Sequence, residues 1–192
     1  MSKPTSPGPG DMNGLVLACL ANDRLAQRKL YESFAPYALT IARRYGIAES
    51  DVADVVQDIF AEAFAKLNTF DPAKGQFKTW LRTLCVRRSV DYLRRRERFR
   101  FTSLAAVLPD LAAEPELDLQ LYTNRELLAA LAALPTGFRT VFNLYAVEGY
   151  KHNDIADLLG ITAAASRSQY TRARRKLQQH LQSHQKKTVN YE

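Results

Sequence analysis

The sequence predicts an all-α protein with two small helical domains joined by a flexible acidic linker. Three observations support this. Apolar residues recur with helical spacing along most of the 192 residues, and no stretch alternates as a strand does. A stretch without lysine or arginine, residues 101–124, contains prolines and acidic residues, as linkers between domains do. A helix–glycine–helix pattern follows near the carboxy terminus.

The positive charge of the chain is concentrated in one segment. The formal net charge is +7, and residues 76–100 alone hold nine basic and two acidic residues. Such a local excess predicts a polyanionic partner, either nucleic acid or an anionic membrane surface. No apolar run approaches the roughly 18 residues that span a bilayer, and the first ten residues lack the apolar core of a secretory signal. We therefore expect no membrane insertion.

The two cysteines indicate a reducing compartment. Cys19 and Cys85 lie far apart, each within an apolar helical pattern, which predicts two buried thiols in the cytoplasm rather than a disulfide or a zinc site. His180 and His184 have metal-ligand spacing, but no third ligand type lies nearby, so we predict neither a metal nor another cofactor. Without a phosphate-binding glycine loop or a nucleophile elbow, an enzyme is not expected.

The amino-terminal domain begins after a tail, residues 1–11, which is rich in proline and glycine and is expected to be disordered. Two helices are predicted from about Gly14 to Gly46, with a break near Asn22. Pro36 is expected to start a kink or a new turn in the second helix.

A third helix is predicted after Ser50, which is expected to be its N-cap, with Asp51 near the positive end of the helix dipole. Its apolar residues follow an i, i+3, i+4, i+7 pattern: Val52, Val55, Val56, Ile59, Phe60, Ala63, Phe64 and Leu67. A polar loop, residues 71–75, leads to a fourth helix that ends near Arg96. The periodicity places Trp80 with the core residues of that helix.

The carboxy-terminal domain is predicted to begin with a short helix from Asn124, its expected cap, to Leu134. Pro135 separates that helix from the next. The buried face of the next helix is predicted to contain Phe138, Val141, Phe142 and Tyr145.

A helix-turn-helix is predicted between Gly149 and Leu177. Gly160 provides the left-handed turn residue, Ile161 fills the angle between the helices, and Thr162 caps the second helix. The core side of that helix is predicted to be Ser166, Tyr170, Ala173 and Leu177. The opposite side presents Ala164, Arg167, Ser168, Thr171, Arg174 and Arg175, with Arg172 on the flank. Small and basic residues suit a helix in a DNA groove; the alternative is a helical hairpin with a solvated basic face.

Two sets of motifs together resemble one family. The segments "VVQDIF" and "FKTWL" in the amino-terminal half resemble region two of the extracytoplasmic-function (ECF) sigma factors of bacterial RNA polymerase. The segments "DIADLLGI" and "RSQYTRARRKL" resemble region four. The resemblance covers roughly residues 14–181 and implies region two at residues 12–100, a linker at 101–122, region four at 123–183 and a tail at 184–192.

The resemblance implies a role for each part. The third helix would bind the clamp helices of the largest catalytic subunit of core RNA polymerase, through Asp54, Gln57, Asp58 and Glu62. The loop Phe70–Gln76 would hold a base flipped from the non-template strand of promoter DNA. The residues that would bind this strand are Lys74, Gln76, Lys78, Arg82, Arg87 and Arg88. The region-four helix would bind the upstream promoter element through Arg167, Ser168, Thr171, Arg172, Arg174 and Arg175.

The resemblance also allows for an inhibitory anti-sigma factor, which would cover the polymerase-binding and DNA-binding faces. The acidic linker would run toward the active-site and RNA-exit channels of the polymerase. Two residues depart from the family pattern. Ser166 replaces a β-branched apolar residue and is expected to weaken the local core, whereas Gln169 replaces an arginine and is expected to shift base preference.

Two other protein classes remain as alternatives. An autonomous helix-turn-helix regulator predicts a specific footprint on a two-fold-related site without polymerase. A basic membrane-surface protein is disfavoured because the charge does not lie on a clear lipid-binding helix.

Overall fold

The structure, a computed structural model, describes residues 9–96 and 123–189. Within these ranges every regular element is helical, which confirms the predicted all-α fold of two helical domains. The predicted linker, the arginines after Arg96 and most of the predicted amino-terminal tail lie outside the described residues. The described helices divide into two compact units, one amino-terminal and one carboxy-terminal.

The amino-terminal unit contains four α-helices and one short 3₁₀ turn. The α-helices are α1 Pro9–Leu20, α2 Arg24–Arg44, α3 Glu49–Ala65 and α4 Phe77–Arg96, and the 3₁₀ turn is Leu67–Thr69. The carboxy-terminal unit contains α5 Asn124–Ala132, α6 Thr136–Phe142, the π-helical turn Asn143–Val147, α7 His152–Leu159 and α8 Ala163–Val189. None of the helices in the described ranges combines the length and apolar character that crossing a bilayer requires.

The break between α1 and α2 lies where the sequence predicts it. Asn22 has a φ of 62°, in the left-handed region that asparagine tolerates better than most residues. The Oδ1 atom of Asp23 then accepts the backbone N–H groups of Leu25 at 2.8 Å and Ala26 at 3.3 Å, so it caps the start of α2. Pro36 lies inside α2, which continues as one helix to Arg44.

Two helix ends lie outside their predicted positions. α1 begins at Pro9, inside the predicted tail, since proline is favoured at the first helical position, where its missing N–H costs nothing. α8 continues to Val189, beyond the predicted start of the carboxy-terminal tail at residue 184. Both ends lengthen a predicted helix without changing the number of helices.

The predicted N-cap of α3 is wrong. α3 begins at Glu49, and Ala48 stands at the N-cap position without a side-chain hydrogen bond. Ser50 lies in the first turn, and its hydroxyl donates to Asp51 at 3.1 Å. Glu49 and Asp51 in that turn interact favourably with the helix dipole, which allows an earlier start.

Helical stripes of apolar residues form the core of the amino-terminal unit. The predicted stripe of α3 is buried at six positions of the helix: Val52, Val55, Val56, Ile59, Phe60 and Ala63. Aromatic contacts connect the helices, with the ring centres of Tyr31 and Phe60 4.7 Å apart and those of Phe34 and Phe77 4.9 Å apart. Cys19 and Cys85 are both buried thiols, as predicted.

The carboxy-terminal unit has its own core on the long helix α8, which contacts α5, α6 and α7. The residues of this core are Ala130, Leu134, Phe138, Phe142, Ala173, Leu177 and Leu181. Thr123, and not Asn124, caps α5. Its Oγ accepts the N–H of Glu126, whose carboxylate in turn accepts the Thr123 N–H at 2.8 Å.

Tyr145 was predicted to be buried, yet it is exposed. The π-helical turn changes the number of residues per turn, so positions after Phe142 leave the 3.6-residue register from which the prediction was made. The Tyr145 ring instead stacks on the His152 ring, with centres 4.3 Å apart.

Candidate functional site

The acidic residues of α3 form a surface opposite its buried stripe. Asp54, Gln57 and Asp58 are exposed there, as the sequence predicts. Glu62 differs, because its side chain is only 13% exposed. Lys66 binds it at 2.6 Å, and Arg88 of α4 forms a second ion pair with it.

The pKa of Glu62 follows from this environment. Burial opposes ionisation, but hydrogen bonds from Lys66 and Arg88 outweigh it and lower the pKa of the carboxyl group. Glu62 therefore connects α3 to α4, and the exposed surface consists of the two carboxylates Asp54 and Asp58 with the amide Gln57 between them. We call these three residues the α3 surface.

A cavity of about 520 Å³ lies in the amino-terminal unit at the loop between the 3₁₀ turn and α4. This volume is within the range of small-molecule binding sites. Its lining comprises Met12, Asn13, Phe34, Phe70, Pro72, Ala73, Lys74, Gly75, Gln76, Phe77 and Lys78. We call it the loop cavity.

Aromatic rings form one side of the loop cavity. The ring of Phe77 lies 4.9 Å from that of Phe34 and 5.4 Å from that of Phe70. Trp80, predicted to be core, is only half-buried and packs behind them, 5.9 Å from Phe70 and 5.3 Å from Phe77. Trp80 does not line the cavity, so it supports the aromatic side rather than offering a face to a base.

The sequence predicts the loop as a binding element but not the rest of the cavity wall. Met12 and Asn13 come from α1 and Phe34 from α2, and helical periodicity does not indicate that these helices border the loop. Lys74, Gln76 and Lys78, which the sequence does predict, are brought together at this one cavity.

The predicted cationic residues of α4 differ in accessibility. Lys78 is exposed, with its Nζ atom 4.7 Å from the ring centre of Tyr37, a cation–π contact. Arg87 is also exposed, whereas Arg82 and Arg88 are half-buried. Because Glu62 binds Arg88, Arg87 is the more accessible of the two neighbouring arginines.

The carboxy-terminal unit contains the predicted helix-turn-helix. Gly160 ends α7 with φ 67° and ψ 38°, the left-handed conformation expected at the turn. The Thr162 hydroxyl accepts the N–H of Ala165 at 3.0 Å and caps α8, as predicted. Ile161, predicted to fill the angle between the helices, is half-buried.

The exposed side of α8 contains the predicted DNA-binding residues. Arg167 and Arg175 are exposed, whereas Ser168, Thr171, Arg172 and Arg174 are partly exposed. Ser166, Ala173 and Leu177 are buried on the other side, and Tyr170 is half-buried. The arrangement leaves four arginines and two hydroxyl groups accessible along about two turns of helix.

The two departures from the family pattern are both buried. Ser166 Oγ lies 2.9 Å from His152 Nδ1, so its hydroxyl has a hydrogen-bond partner in α7. Gln169 is 0% exposed, and neither amide atom has a hydrogen-bond partner within the described residues. The expectation that Gln169 shifts base preference is therefore wrong for direct contact, because a buried amide does not reach a base edge.

His152 connects α7, α8 and the π-helical turn. Its ring stacks on Tyr145 and binds Ser166. Burial lowers the pKa of His152, and the positive charge of Arg167 lowers it further.

Comparison with known proteins identifies both units. Residues 30–99 match the family model for sigma-70 region 2, and residues 124–177 match that for sigma-70 region 4. The chain is 28% identical over 191 residues to the ECF RNA polymerase sigma factor SigE of Mycolicibacterium smegmatis, an alignment that covers 97% of this chain and 72% of that protein.

Two further relatives are similar over most of their length. The RNA polymerase sigma factor CnrH of Cupriavidus metallidurans is 32% identical, with 88% of this chain and 94% of CnrH covered. NccH of Alcaligenes xylosoxydans xylosoxydans is 31% identical, with 92% and 98% covered. A solved structure of CnrH with the cytosolic domain of CnrY aligns with a TM-score of 0.46 and 29% identity, over 88% of this chain and 96% of that one.

Proposed function

The chain belongs to the ECF group of bacterial RNA polymerase sigma factors, and we propose which of its surfaces bind core polymerase and which bind promoter DNA. A sigma factor binds core RNA polymerase, recognises promoter DNA and initiates transcription, and this is the function of the chain. This assignment is supported by the presence of sigma-70 regions 2 and 4 in that order, each in a separate helical unit. We place the chain in the cytoplasm, where it acts as a specificity subunit and leaves RNA synthesis chemistry to the polymerase.

A reconstitution experiment tests this function. Purified chain is mixed with core RNA polymerase, the complex is isolated, and transcription in vitro from genomic DNA is followed by mapping of transcript start sites. We expect a stable complex and start sites that share upstream and downstream sequence elements. A chain that fails to bind core polymerase would contradict the proposal.

The α3 surface is proposed to bind the clamp helices of the largest catalytic subunit. Its carboxylates are exposed and opposite the buried stripe, which suits polar contacts with a basic partner surface. The charge reversals Asp54→Lys and Asp58→Lys should weaken core binding, measured as the dissociation constant of the complex. Glu32→Lys, an equal charge change at an exposed residue of α2, is the matched control and should bind like the wild type.

Glu62 is proposed to act indirectly at this interface. Its carboxylate binds Lys66 and Arg88, so it fixes α3 on α4 and is poorly placed to contact a partner. Glu62→Gln should lower the melting temperature of the chain more than Asp58→Asn does, while Asp58→Asn should weaken core binding more.

The loop cavity and the basic residues beside it are proposed to bind the separated non-template strand of the downstream element. An unstacked base needs an aromatic-sided pocket, and the strand needs cations along its backbone. The cavity has aromatic rings from Phe70 and Phe77, and Lys74, Lys78 and Arg87 are exposed around or beyond it. Arg82 and Arg88 complete this basic surface from half-buried positions.

Two neighbouring arginines provide a matched pair for testing this surface. Arg87→Ala should weaken open-complex formation and reduce the salt dependence of promoter binding, because an accessible phosphate contact is lost. Arg88→Ala should affect DNA binding less and lower the thermal stability more, because it removes one of the two partners of Glu62, the one that connects α3 to α4. The opposite order of effects would contradict the assignment.

The exposed side of α8 is proposed to read the upstream element as duplex DNA in the major groove. Arg167, Ser168 and Thr171 lie toward the amino-terminal half of the helix, the part that contacts base edges in helix-turn-helix proteins. Arg172, Arg174 and Arg175 lie farther along and suit phosphate contacts. Arg167→Ala should relax selectivity at one upstream position, whereas Arg175→Ala should weaken binding equally on all sequences.

An anti-sigma factor is proposed as a further partner. CnrH, to which the chain is 32% identical, forms a complex with the cytosolic domain of CnrY. A partner that covers the α3 surface and α8 would block polymerase and DNA together. Co-expression with the product of a neighbouring coding region, followed by a core-binding assay, tests this, and loss of core binding is the expected result.

A further inference from the structure

The loop cavity has a wall that the loop does not supply. Most of its lining belongs to the segment from Phe70 to Lys78, but Met12 and Asn13 of α1 complete it from another part of the chain. Residues 12 and 13 also lie outside residues 30–99, the range that matches the region-two model. The contribution of α1 to ligand selectivity in the cavity would therefore come from residues outside the part of the chain that matches the region-two model.

α1 is held in place beside the loop. Its core-facing residues are buried: Met12, Leu15, Val16 and Cys19. The helix contacts the 3₁₀ turn Leu67–Thr69, which directly precedes the loop. Because both the helix and the start of the loop are packed, the position of Asn13 relative to the cavity is fixed by the core.

The polar groups of the cavity differ in what they can recognise. Lys74 and Lys78 offer only hydrogen-bond donors and a positive charge, which suit the phosphate oxygens of the strand. Asn13 and Gln76 each have an amide with one acceptor and one donor group, which can pair with two adjacent atoms of a base. Neither amide makes a side-chain hydrogen bond within the described residues, so both are available to a ligand.

We propose that Asn13 is a specificity-determining residue for the downstream promoter element, whose side-chain amide reads the edge of the single base held in the loop cavity. This inference rests on the proposed function of the cavity. The aromatic side of the cavity holds the base by stacking, and Gln76 and Asn13 contact its edge from the loop and from α1. Asn13 selects the base, and Lys74 and Lys78 bind the backbone of the strand.

The test uses the full chain in complex with core polymerase. Transcription is measured from a pool of promoter fragments randomised at each position of the downstream element, and the transcribed templates are sequenced. The variants are Asn13→Ala and, as the matched control, Asn68→Ala, an exposed asparagine on the 3₁₀ turn that does not line the cavity. Alanine is compatible with the helical position of Asn13, so the variant is expected to fold.

The wild-type complex should prefer particular bases at several positions. Asn13→Ala should lose about tenfold of the preference at one position only, the scale of one two-atom contact to a base, whereas Asn68→Ala should match the wild type. Unchanged preferences, or an equal loss at all positions, would overturn the role of Asn13 and leave the sigma-factor function intact. A wild-type complex that transcribes no template would instead count against the proposed function itself.

Discussion

Two buried polar residues of the carboxy-terminal unit of this sigma factor differ in their hydrogen bonding. Gln169 is fully buried with both amide atoms unpaired within the described residues, and Ser166 is fully buried but bound to His152. An unpaired buried amide destabilises the folded state, whereas a paired hydroxyl is close to neutral. The two departures from the family pattern therefore differ in their effect on stability.

Replacement of Gln169 tests the cost of its unpaired amide. Gln169→Met keeps a similar volume and removes the unpaired amide, so the free energy of unfolding should rise by about 1–3 kcal/mol. Urea denaturation measures the change. Gln179→Met, on an exposed face of the same helix, is the control and should stay within about 0.5 kcal/mol of the wild type. A loss of stability in Gln169→Met would mean that the amide has a partner, such as a buried water.

His152 predicts a dependence of stability on pH. Burial lowers its pKa in the folded state below the ordinary value near 6.5, so the unfolded chain binds the proton more readily. Stability should therefore fall as pH decreases from 6.5 toward the folded pKa, and should be constant with respect to this group above 6.5. Denaturation of the wild type and His152→Gln at several pH values tests this, because the contribution of His152 is the difference between the two curves.

Helical periodicity predicts buried positions well where a helix has one apolar row and poorly where two adjacent rows of the helix are buried. On α8 the sequence predicts that Ser166, Tyr170, Ala173 and Leu177 face the core. Ala165 and Gln169, which lie beside that row, are also buried. Because a polar residue such as glutamine is usually exposed, helical periodicity does not predict the burial of Gln169.

For each helix, the apolar periodicity predicts that the helix exists and which of its faces is buried, whereas the residues at which the helix begins and ends depend on local hydrogen bonds. α3 is predicted with its stripe because six of its apolar residues share one face. The predicted start of α3 is wrong because a helix can begin without a serine cap. The predicted burial of Tyr145 is wrong because the apolar pattern does not indicate a π-helical turn.

The caps give a prediction at this scale. Thr123→Ala removes one half of the reciprocal cap of α5 and should lower the free energy of unfolding by about 1 kcal/mol. Ser50→Ala should change it by less than about 0.5 kcal/mol, because Ser50 lies within the first turn of α3 and makes no cap. Thermal denaturation followed by circular dichroism distinguishes them; equal losses in both variants would show that Ser50 stabilises α3 in another way.

For the molecule as a whole, the sequence predicts two helical units and, through the family resemblance, a sigma-factor function, but it does not predict which residues line the loop cavity. The cavity needs residues from α1, α2 and the loop, which are far apart along the chain and carry no common motif. Periodicity assigns each helix a buried face, but it does not say which helix ends meet. Asn13 was accordingly absent from the predicted site residues.

The division of recognition between two units predicts how the chain depends on the polymerase. If each unit makes few base contacts, as proposed, the chain alone should bind duplex DNA weakly, with steep salt dependence and similar affinity for promoter and scrambled sequence. Joint engagement on the polymerase raises the effective concentration of each unit at its element, which can increase affinity by about 10²–10⁴ without any new contact. Fluorescence anisotropy with both DNAs, with and without core polymerase, measures this difference. Tight, sequence-selective binding by the free chain to a two-fold-related site would instead indicate an autonomous regulator. Such a protein recognises its DNA site without core polymerase, whereas a sigma factor needs the polymerase to hold both units on the promoter.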